Sequence, residues 1–203
     1  AIREKRINLR DCIEEVINSL SPLAKDKKLP INYIYYQDVP EYVISDKHRL
    51  HQILINLLSN AIKFTDKGSV LIRVSLCDKG SCLNNNKEHI QITVQDTGPG
   101  IPIDIQNNLF RPFCHIQNQG VSSYTGSGLG LVITKKIVGL LQGEISYETS
   151  LGYGTKFFVE LPFVLPEGSK EQNLHLGNRD LKVAIVDNDK LYPAICHQIS
   201  YLN

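Results

Sequence analysis

The run NLLSNAIKF, Asn56 to Phe64, sets two asparagines and a lysine into an otherwise apolar stretch. At about 100° per residue, Arg49, Gln52, Asn60 and Lys63 all fall within roughly 40° of Asn56 around a helix. Leu50, Ile53, Leu54, Ile55, Leu57, Leu58, Ala61 and Ile62 fill the wide arc beside that stripe. So wide an apolar arc puts the stripe in a cleft rather than on an open surface. The stripe holds amides and cations but no carboxylate, unlike the Glu/Lys faces of solvated helices. Amide oxygens are hard ligands, suited to a Mg²⁺ ion that keeps its waters and shares phosphate oxygens, and a neighbouring lysine suits phosphate. The competing reading is a plain solvated face.

A second candidate ends a strand. In IQITVQD the period of two sets Ile90, Ile92, Val94 and Asp96 on one side, so Asp96 inherits the buried direction just before TGPGIP. A carboxylate turned inward needs a donor, because burying it unpaired is costly, and the amino group of adenine is a suitable one. Gly98 and Gly100 let the backbone turn and approach a flat ring. The alternative is an ordinary Asp-Thr-Gly turn whose aspartate caps the loop. A third candidate, TGSGLGLVITKKIV, carries Gly126, Gly128 and Gly130 straight into an amphipathic helix. Bare N–H groups at a helix N-terminus favour phosphate. The stretch is not a Walker A loop, since no Gly-Lys-Ser/Thr follows. Nor is it the dinucleotide fingerprint, because Leu131 stands where the third glycine belongs and no strand precedes it.

Other segments must position these groups. Residues 8–27 have helical apolar spacing, with Pro22 expected to kink or divide the helix. LPINYIYYQD reads as a strand, and Asp46 opens the helix that bears the stripe. SVLIRVSL and HIQITVQD are alternating strands joined by CDKGSCLNNNKE, a polar loop expected to be mobile. A short helix near 103–109 and a polar segment, 114–124, precede a helix over 129–141. GEISYETS and TKFFVELPF close a hairpin around LGYG. Helices and strands mix without strict alternation. This predicts an α+β two-layer sandwich, helices packed on one face of a mixed, mainly antiparallel sheet. Residues 164–180 read as a linker, and LKVAIVDND after them as a buried-type strand ending in acids.

Bulk properties narrow the class. The 203 residues are 42% apolar and 21% charged with a net charge of +1, which gives no electrostatic case for nucleic acid or an anionic membrane. Apolar runs fall well short of the ~18 residues of a membrane span, and AIREKRINLR is charged from its third residue, unlike a signal peptide. Five cysteines, an odd number without metal spacing, favour reduced thiols in a cytoplasmic setting.

In their order along the chain, these motifs resemble the catalytic, ATP-binding domain of sensor histidine kinases, whose Bergerat-type fold is shared with gyrase, Hsp90 and MutL. DKHRLHQILINLLSNAIKF resembles the N box, DTGPG the first glycine box, LFRPF the F box and GSGLGL the second glycine box. GYGTKFFVELP resembles the closing glycine-threonine hairpin, so the likeness covers about residues 1–163. It implies ATP as substrate, ADP as product and Mg²⁺ as cofactor. Asn60 would hold the metal with Asn56 assisting, and Lys63 would touch phosphate. Asp96 would accept from the adenine amino group, Thr155 sharing that corner through water, in a base pocket shaped by Gly98 and Gly100 and flanked by Ile101 and Phe64. Gly126, Ser127, Gly128, Leu129, Gly130 and Leu131 would bound the phosphates, and 114–127 would be a lid docked through Phe110 and Phe113. The γ-phosphate would pass to a histidine on dimerisation helices of the same or a partner subunit, in a two-component phosphorelay.

Two departures qualify the likeness. Arg111 replaces an acid common in the F box. No stretch resembles the phosphoacceptor helix, and residues 1–27 resemble the segment that follows it. The chain therefore looks like part of a larger, homodimeric sensor and is not expected to autophosphorylate alone. LKVAIVDNDK resembles the first strand of a receiver domain, with Asn188 where a second acid is usual; residues 181–203 would be its truncated start, and the parent a hybrid kinase served by that receiver or a separate response regulator. The rivals are a degenerate, protein-binding module and a phosphatase-biased sensor. A gyrase- or Hsp90-like ATPase is disfavoured, because those place a glutamate base where Asn56 stands.

Overall fold

The computed structural model describes residues 2–77, 87–113 and 128–166. Strand Lys5–Asn8 (β1) leads into helix Leu9–Asp26 (α1), where the Asn8 side chain caps the first turn by accepting from the Asp11 N–H. Pro22 sits inside α1 without dividing it. Both Pro22 and Asn18, whose carbonyl loses its usual donor, are exposed to water. Strands Ile31–Tyr35 (β2) and Tyr42–Ser45 (β3) follow, and Asp46 then caps helix Lys47–Phe64 (α2), its Oδ1 taking the Arg49 N–H at 3.1 Å. Strands Val70–Leu76 (β4) and Lys87–Asp96 (β5), the single turn Ile103–Gln106 (α3), helix Gly130–Leu140 (α4), and the hairpin Glu144–Ser150 (β6) and Gly154–Val164 (β7) complete the described elements.

The strands form one sheet in the order β1-β3-β7-β5-β4-β2, with β6 also paired to β7. Only β2 and β4 run parallel, joined by a crossover that contains α2; the other pairs are antiparallel. The helices pack on one face, so the expected sandwich is the observed one. Its core is made by inward rows of β4 (Val70, Ile72, Val74), β5 (Ile90, Ile92, Val94) and β7 (Phe157, Val159, Leu161, Phe163), closed by α1 and α2. On α2 the expected arc is buried except at one edge: Ile55 is 42% exposed, because the sheet covers less of the helix than the arc spans.

Other differences from the sequence reading have plain causes. β1 and β3 are four residues each, too short to show a period, and they exist by pairing with each other at the sheet edge. The helix expected over 103–109 stops at Gln106. β7 continues to Val164, and Leu165 is buried, so the sheet extends past the boundary drawn at residue 163. The expectations for the 78–86 loop, the 114–127 lid and the receiver-like 181–203 segment lie outside the described residues, as does the linker after residue 166. Among the described residues, no helix is long and apolar enough to cross a membrane.

One cation ties the two long helices together at the end nearest the site. Lys27 Nζ, just past α1, donates to the carbonyls of Lys63 at 2.7 Å and Thr65 at 3.2 Å, and pairs with Asp66 at 3.2 Å. It thereby satisfies carbonyls that the end of α2 leaves open.

Leu54 is fully buried on α2, within the core cluster. Leu54→Ala is expected to lower the unfolding free energy by about 2–5 kcal/mol in urea denaturation. A loss under ~1 kcal/mol would mean that this face of α2 is not the core.

Candidate functional site

The end of β5 and the last turns of α2 meet at a cleft. α2 contributes Asn60, Ala61 and Phe64; β5 contributes Asp96; the following loop contributes Pro99, Gly100 and Ile101. Leu109, Leu131 from the first turn of α4, and Thr155 and Phe157 from β7 complete the wall. Asp96 is its only charged side chain among the described residues.

Asp96 arrives there by strand periodicity, one step beyond the inward row Ile90, Ile92 and Val94, and directly opposite Thr155 in the β5–β7 register. Its Oδ1 accepts from the Gly98 N–H at 2.8 Å and the Thr155 N–H at 3.3 Å. Both bonds fall on one oxygen; Oδ2 has no hydrogen-bond partner among the described residues. Burial raises its pKa above the ordinary carboxylate value, and the two N–H groups offset only part of that rise. A carboxylate held this way is an acceptor in search of a donor.

Hydroxyls fix the loop beside it. Thr149 Oγ1 accepts from the Ile101 N–H at 2.9 Å and lies 3.0 Å from Thr155 Oγ1. Thr149 escaped the sequence reading, although counting outward from the LGYG turn puts it opposite Thr155. Leu109, Pro99 and Phe157 were likewise missed, being apolar residues with no local mark of a site.

The polar stripe of α2 divides. Asn60 lines the cleft, whereas Asn56, one turn earlier, lines a neighbouring groove between α2 and α4 with Gln52, Ile133 and Thr134. Asn56 Nδ2 donates to Thr134 Oγ1 at 2.8 Å. α4 comes so close that a Cβ on Gly130 would run into Asn56 Oδ1, which gives Gly130 a packing reason of its own. Lys63 Nζ lies 5.1 Å from the centre of the Phe64 ring, outside the lining. Gly98 is buried beside Asp96, Gly128 has φ 62° just ahead of α4, and Leu129 is the residue before its first turn. Phe113 is 70% exposed and takes no part in the cleft. Gly126 and Ser127 lie outside the described residues.

The chemistry of the donors limits what the cleft takes. Among the described residues its walls are mainly apolar, its one charged side chain is an acceptor, and Asn60 supplies an amide. Among the described residues, no group of three or more His, Cys, Asp or Glu is placed to hold a metal ion. An ion here would have to share its ligands with a bound molecule, as Mg²⁺ does with phosphates, and an amide oxygen fits that role. The first turn of α4 has neither an acid nor a side-chain cap among the described residues, which suits an anion there.

Comparison with known proteins fits this arrangement. The family model described as histidine kinase-, DNA gyrase B-, and HSP90-like ATPase matches residues 45–165. The sensor protein GacS of Pseudomonas syringae pv. syringae is 35% identical over 195 residues, 95% of this chain and 21% of that protein. The signal transduction histidine-protein kinase BarA of Escherichia coli (strain K12) is 37% identical over 171 residues, 82% of this chain and 18% of that protein. The chain thus spans about a fifth of the length of these relatives. Among solved structures, full-length ShkA in complex with AMPPNP is similar with a TM-score of 0.68 and 29% identity, over 82% of this chain and 32% of that one. The nucleotide-free catalytic domain of histidine kinase ThkA has a TM-score of 0.57 and 27% identity, over 80% of this chain and 99% of that one.

Two outcomes check this geometry. Gly130→Ala is expected to lower stability by about 1–3 kcal/mol, and Asn56→Ala in the same chain to recover part of the loss. Additive losses would show that the two positions do not touch. Because Asp96 has a raised pKa in the fold, it favours the native state in acid and loses that contribution as pH rises through the native pKa. Asp96→Asn should therefore gain stability relative to the parent chain as pH rises above the ordinary carboxylate pKa of about 4 and through the higher native one. A difference that stays flat would mean that Asp96 is solvated.

Proposed function

Because the chain belongs to the histidine kinase-, DNA gyrase B- and HSP90-like ATPase family, we propose that its cleft binds Mg²⁺-ATP and presents the γ-phosphate to a histidine carried on dimerisation helices. The acceptor helices belong to the same or a partner subunit, in a two-component phosphorelay that ends on a receiver domain or response regulator. The ATP-binding unit runs through the end of β7 and Leu165, a linker follows to about residue 180, and 181–203 are the start of a receiver-like unit, with the whole in the cytoplasm. The relatives named as sensor kinases support the setting, and the complex of ShkA with AMPPNP supports the ligand class.

The observation that carries the reading is Asp96, a buried acceptor in a cleft with no other charged side chain among the described residues. In this reading its free Oδ2 takes the adenine amino group while Phe64, Ile101 and Leu131 sandwich the ring. Thr155 shares the same corner through water, and Gly98 and Gly100 keep the backbone close to the ring. The phosphates then run toward Asn60, Lys63 and the first turn of α4, bounded by the Gly126–Gly130 stretch. Asn60 holds Mg²⁺, with Asn56 in support, and the ion supplies charge neutralisation on the phosphates when bound. The chain's own part is to orient the phosphates, exclude water from them and offer N–H dipoles to the charge that moves during transfer. No nucleophile or base is required of it, which agrees with a cleft whose single titratable group sits at the base end.

Calorimetry with ATP and ADP, with and without Mg²⁺, tests the reading. Asp96→Asn replaces an acceptor by an amide and is expected to weaken both nucleotides at least tenfold, about 1.4 kcal/mol, without unfolding the chain. Asn60→Asp is expected to change the Mg²⁺ dependence. Unchanged affinity in Asp96→Asn sinks the adenine assignment.

A further inference from the structure

The end of α2 is gripped by a side chain that stands outside the cleft. Phe64, the last residue of that helix, lines the cleft. The carbonyls of its two neighbours, Lys63 and Thr65, both accept from Lys27 Nζ, at 2.7 Å and 3.2 Å. One ammonium thus holds two carbonyls two residues apart and fixes the backbone torsions between them, the same torsions that aim the Phe64 ring. Thr65 is wholly buried, and its N–H donates to the Ala61 carbonyl at 3.1 Å, so the segment is tied to the helix as well.

The ammonium is delivered from a fixed point. α1 ends in a Schellman motif: the Leu29 N–H donates to the Ala24 carbonyl and the Lys28 N–H to the Lys25 carbonyl, both at 2.9 Å, with Lys28 at φ 54°. Ala24 and Leu29, the two residues that such a motif brings together, are both buried. Lys27 is the residue at which α1 stops, so that turn sets its Cα and only the side chain has to span to α2. The three donors of the ammonium are matched by the two carbonyls and Asp66 Oδ1, which leaves the group one orientation. The ion pair with Asp66 adds little stability by itself, since the Asp66 side chain is 68% exposed and water competes for both partners. What Lys27 contributes is direction.

We propose that Lys27 is a positioning residue for nucleotide binding, acting through Phe64: it holds that ring as the α2 wall of a cleft that Lys27 itself does not line. The proposal rests on the nucleotide reading, in which Phe64 flanks the base. Helix ends fray unless their open carbonyls are satisfied, and the two satisfied here bracket the wall residue. Stacking depends on the plane of the ring, so a small rotation in the last turn of α2 weakens it. The same rotation leaves the core of the helix, buried around Leu54 and Leu57, in place. Because the grip comes from the end of α1, a shift of that helix along α2 reaches the cleft wall through one side chain.

The test is calorimetric titration of ADP into the full chain, for the parent, Lys27→Met, Asp66→Asn, Phe64→Leu and the double variant Lys27→Met with Phe64→Leu. Methionine keeps the apolar stem and removes the donors; Asp66→Asn removes the ion pair and leaves the carbonyl grip. The Lys27 side chain is 32% exposed, so its replacement is expected to leave the chain folded. Lys27→Met is expected to weaken ADP about tenfold in the parent but less than about twofold once Phe64 is leucine, and Asp66→Asn to leave affinity unchanged. The chain has no tryptophan, so Phe64→Trp supplies a reporter of the wall itself. In that background Lys27→Met is expected to move the emission to longer wavelength and to weaken its quenching by ADP. An equal loss in both Phe64 backgrounds is what a general loosening of the fold gives, and it overturns the proposal. So does an unchanged ADP affinity or an unmoved tryptophan emission in Lys27→Met. An Asp66→Asn variant that loses as much as Lys27→Met assigns the effect to the ion pair and overturns it too. Each of these results leaves the nucleotide reading intact. A parent chain that binds no ADP sinks the nucleotide reading itself, and this inference with it.

Discussion

Among the described residues two aspartates, Asp46 and Asp96, have almost no solvent-accessible surface, and the fold treats them in opposite ways. Asp46, near the molecule's margin, also works against burial, but backbone N–H groups of Arg3, Arg49 and His48 more than compensate and hold its pKa below the ordinary value. Its charge is spent on capping α2. Asp96 lies deep, receives two N–H groups on a single oxygen, and keeps a raised pKa. The difference is an unmet need for a donor, and the cleft is arranged around it. The β5–β7 register sets Thr155 opposite Asp96, the Thr149 hydroxyl pins the loop at Ile101, and the end of α2 supplies the facing wall.

α2 joins stability to the site. The helix that buries Leu50, Ile53, Leu54, Leu57 and Leu58 also carries Asn56, Asn60 and Phe64, so the groove and cleft residues cannot move independently of the core. Lys27 extends that coupling to α1 by holding the carbonyls on either side of Phe64. A helix placed by so many apolar contacts loses little further entropy on holding a ligand, which is the general advantage of building a site on rigid elements.

What could be read from sequence was what local periodicity encodes. The 3.6-residue period oriented Asn60 and the buried face of α2, and the two-residue period carried Asp96 inward. Both depend only on neighbours in the chain. Asn56 was aligned correctly with Asn60, yet its partner Thr134 is 78 residues away, and no spacing rule could show that the stripe divides between a cleft and a groove. Ile55 matched the apolar arc and is exposed because arc width says nothing of how much sheet lies opposite. Thr149 was invisible for a related reason: a threonine becomes notable only when the elements around it are assembled. The family resemblance supplied the union of the motifs, which periodicity alone left as three separate weak signals.

The two ends of the cleft obey different physics. At the Asp96 end the hydrogen-bonding groups are mostly backbone, locked in ladders between β5, β7 and β6, and a shift there would break the register of three strands. At the other end, among the described residues, α4 meets α2 through one side-chain bond, Asn56 to Thr134, and the close approach that Gly130 permits. Ile137 and Val138 anchor α4 in the core beyond its first turn, so an adjustment would fall on Leu131 and the N–H groups of that first turn while the base end stays fixed. In the proposed reading that asymmetry is useful. A phosphoryl donor must hold the same purine before and after transfer while the phosphate end loses a group and its charge. A stiff base subsite with an adjustable phosphate subsite meets both demands within one cleft.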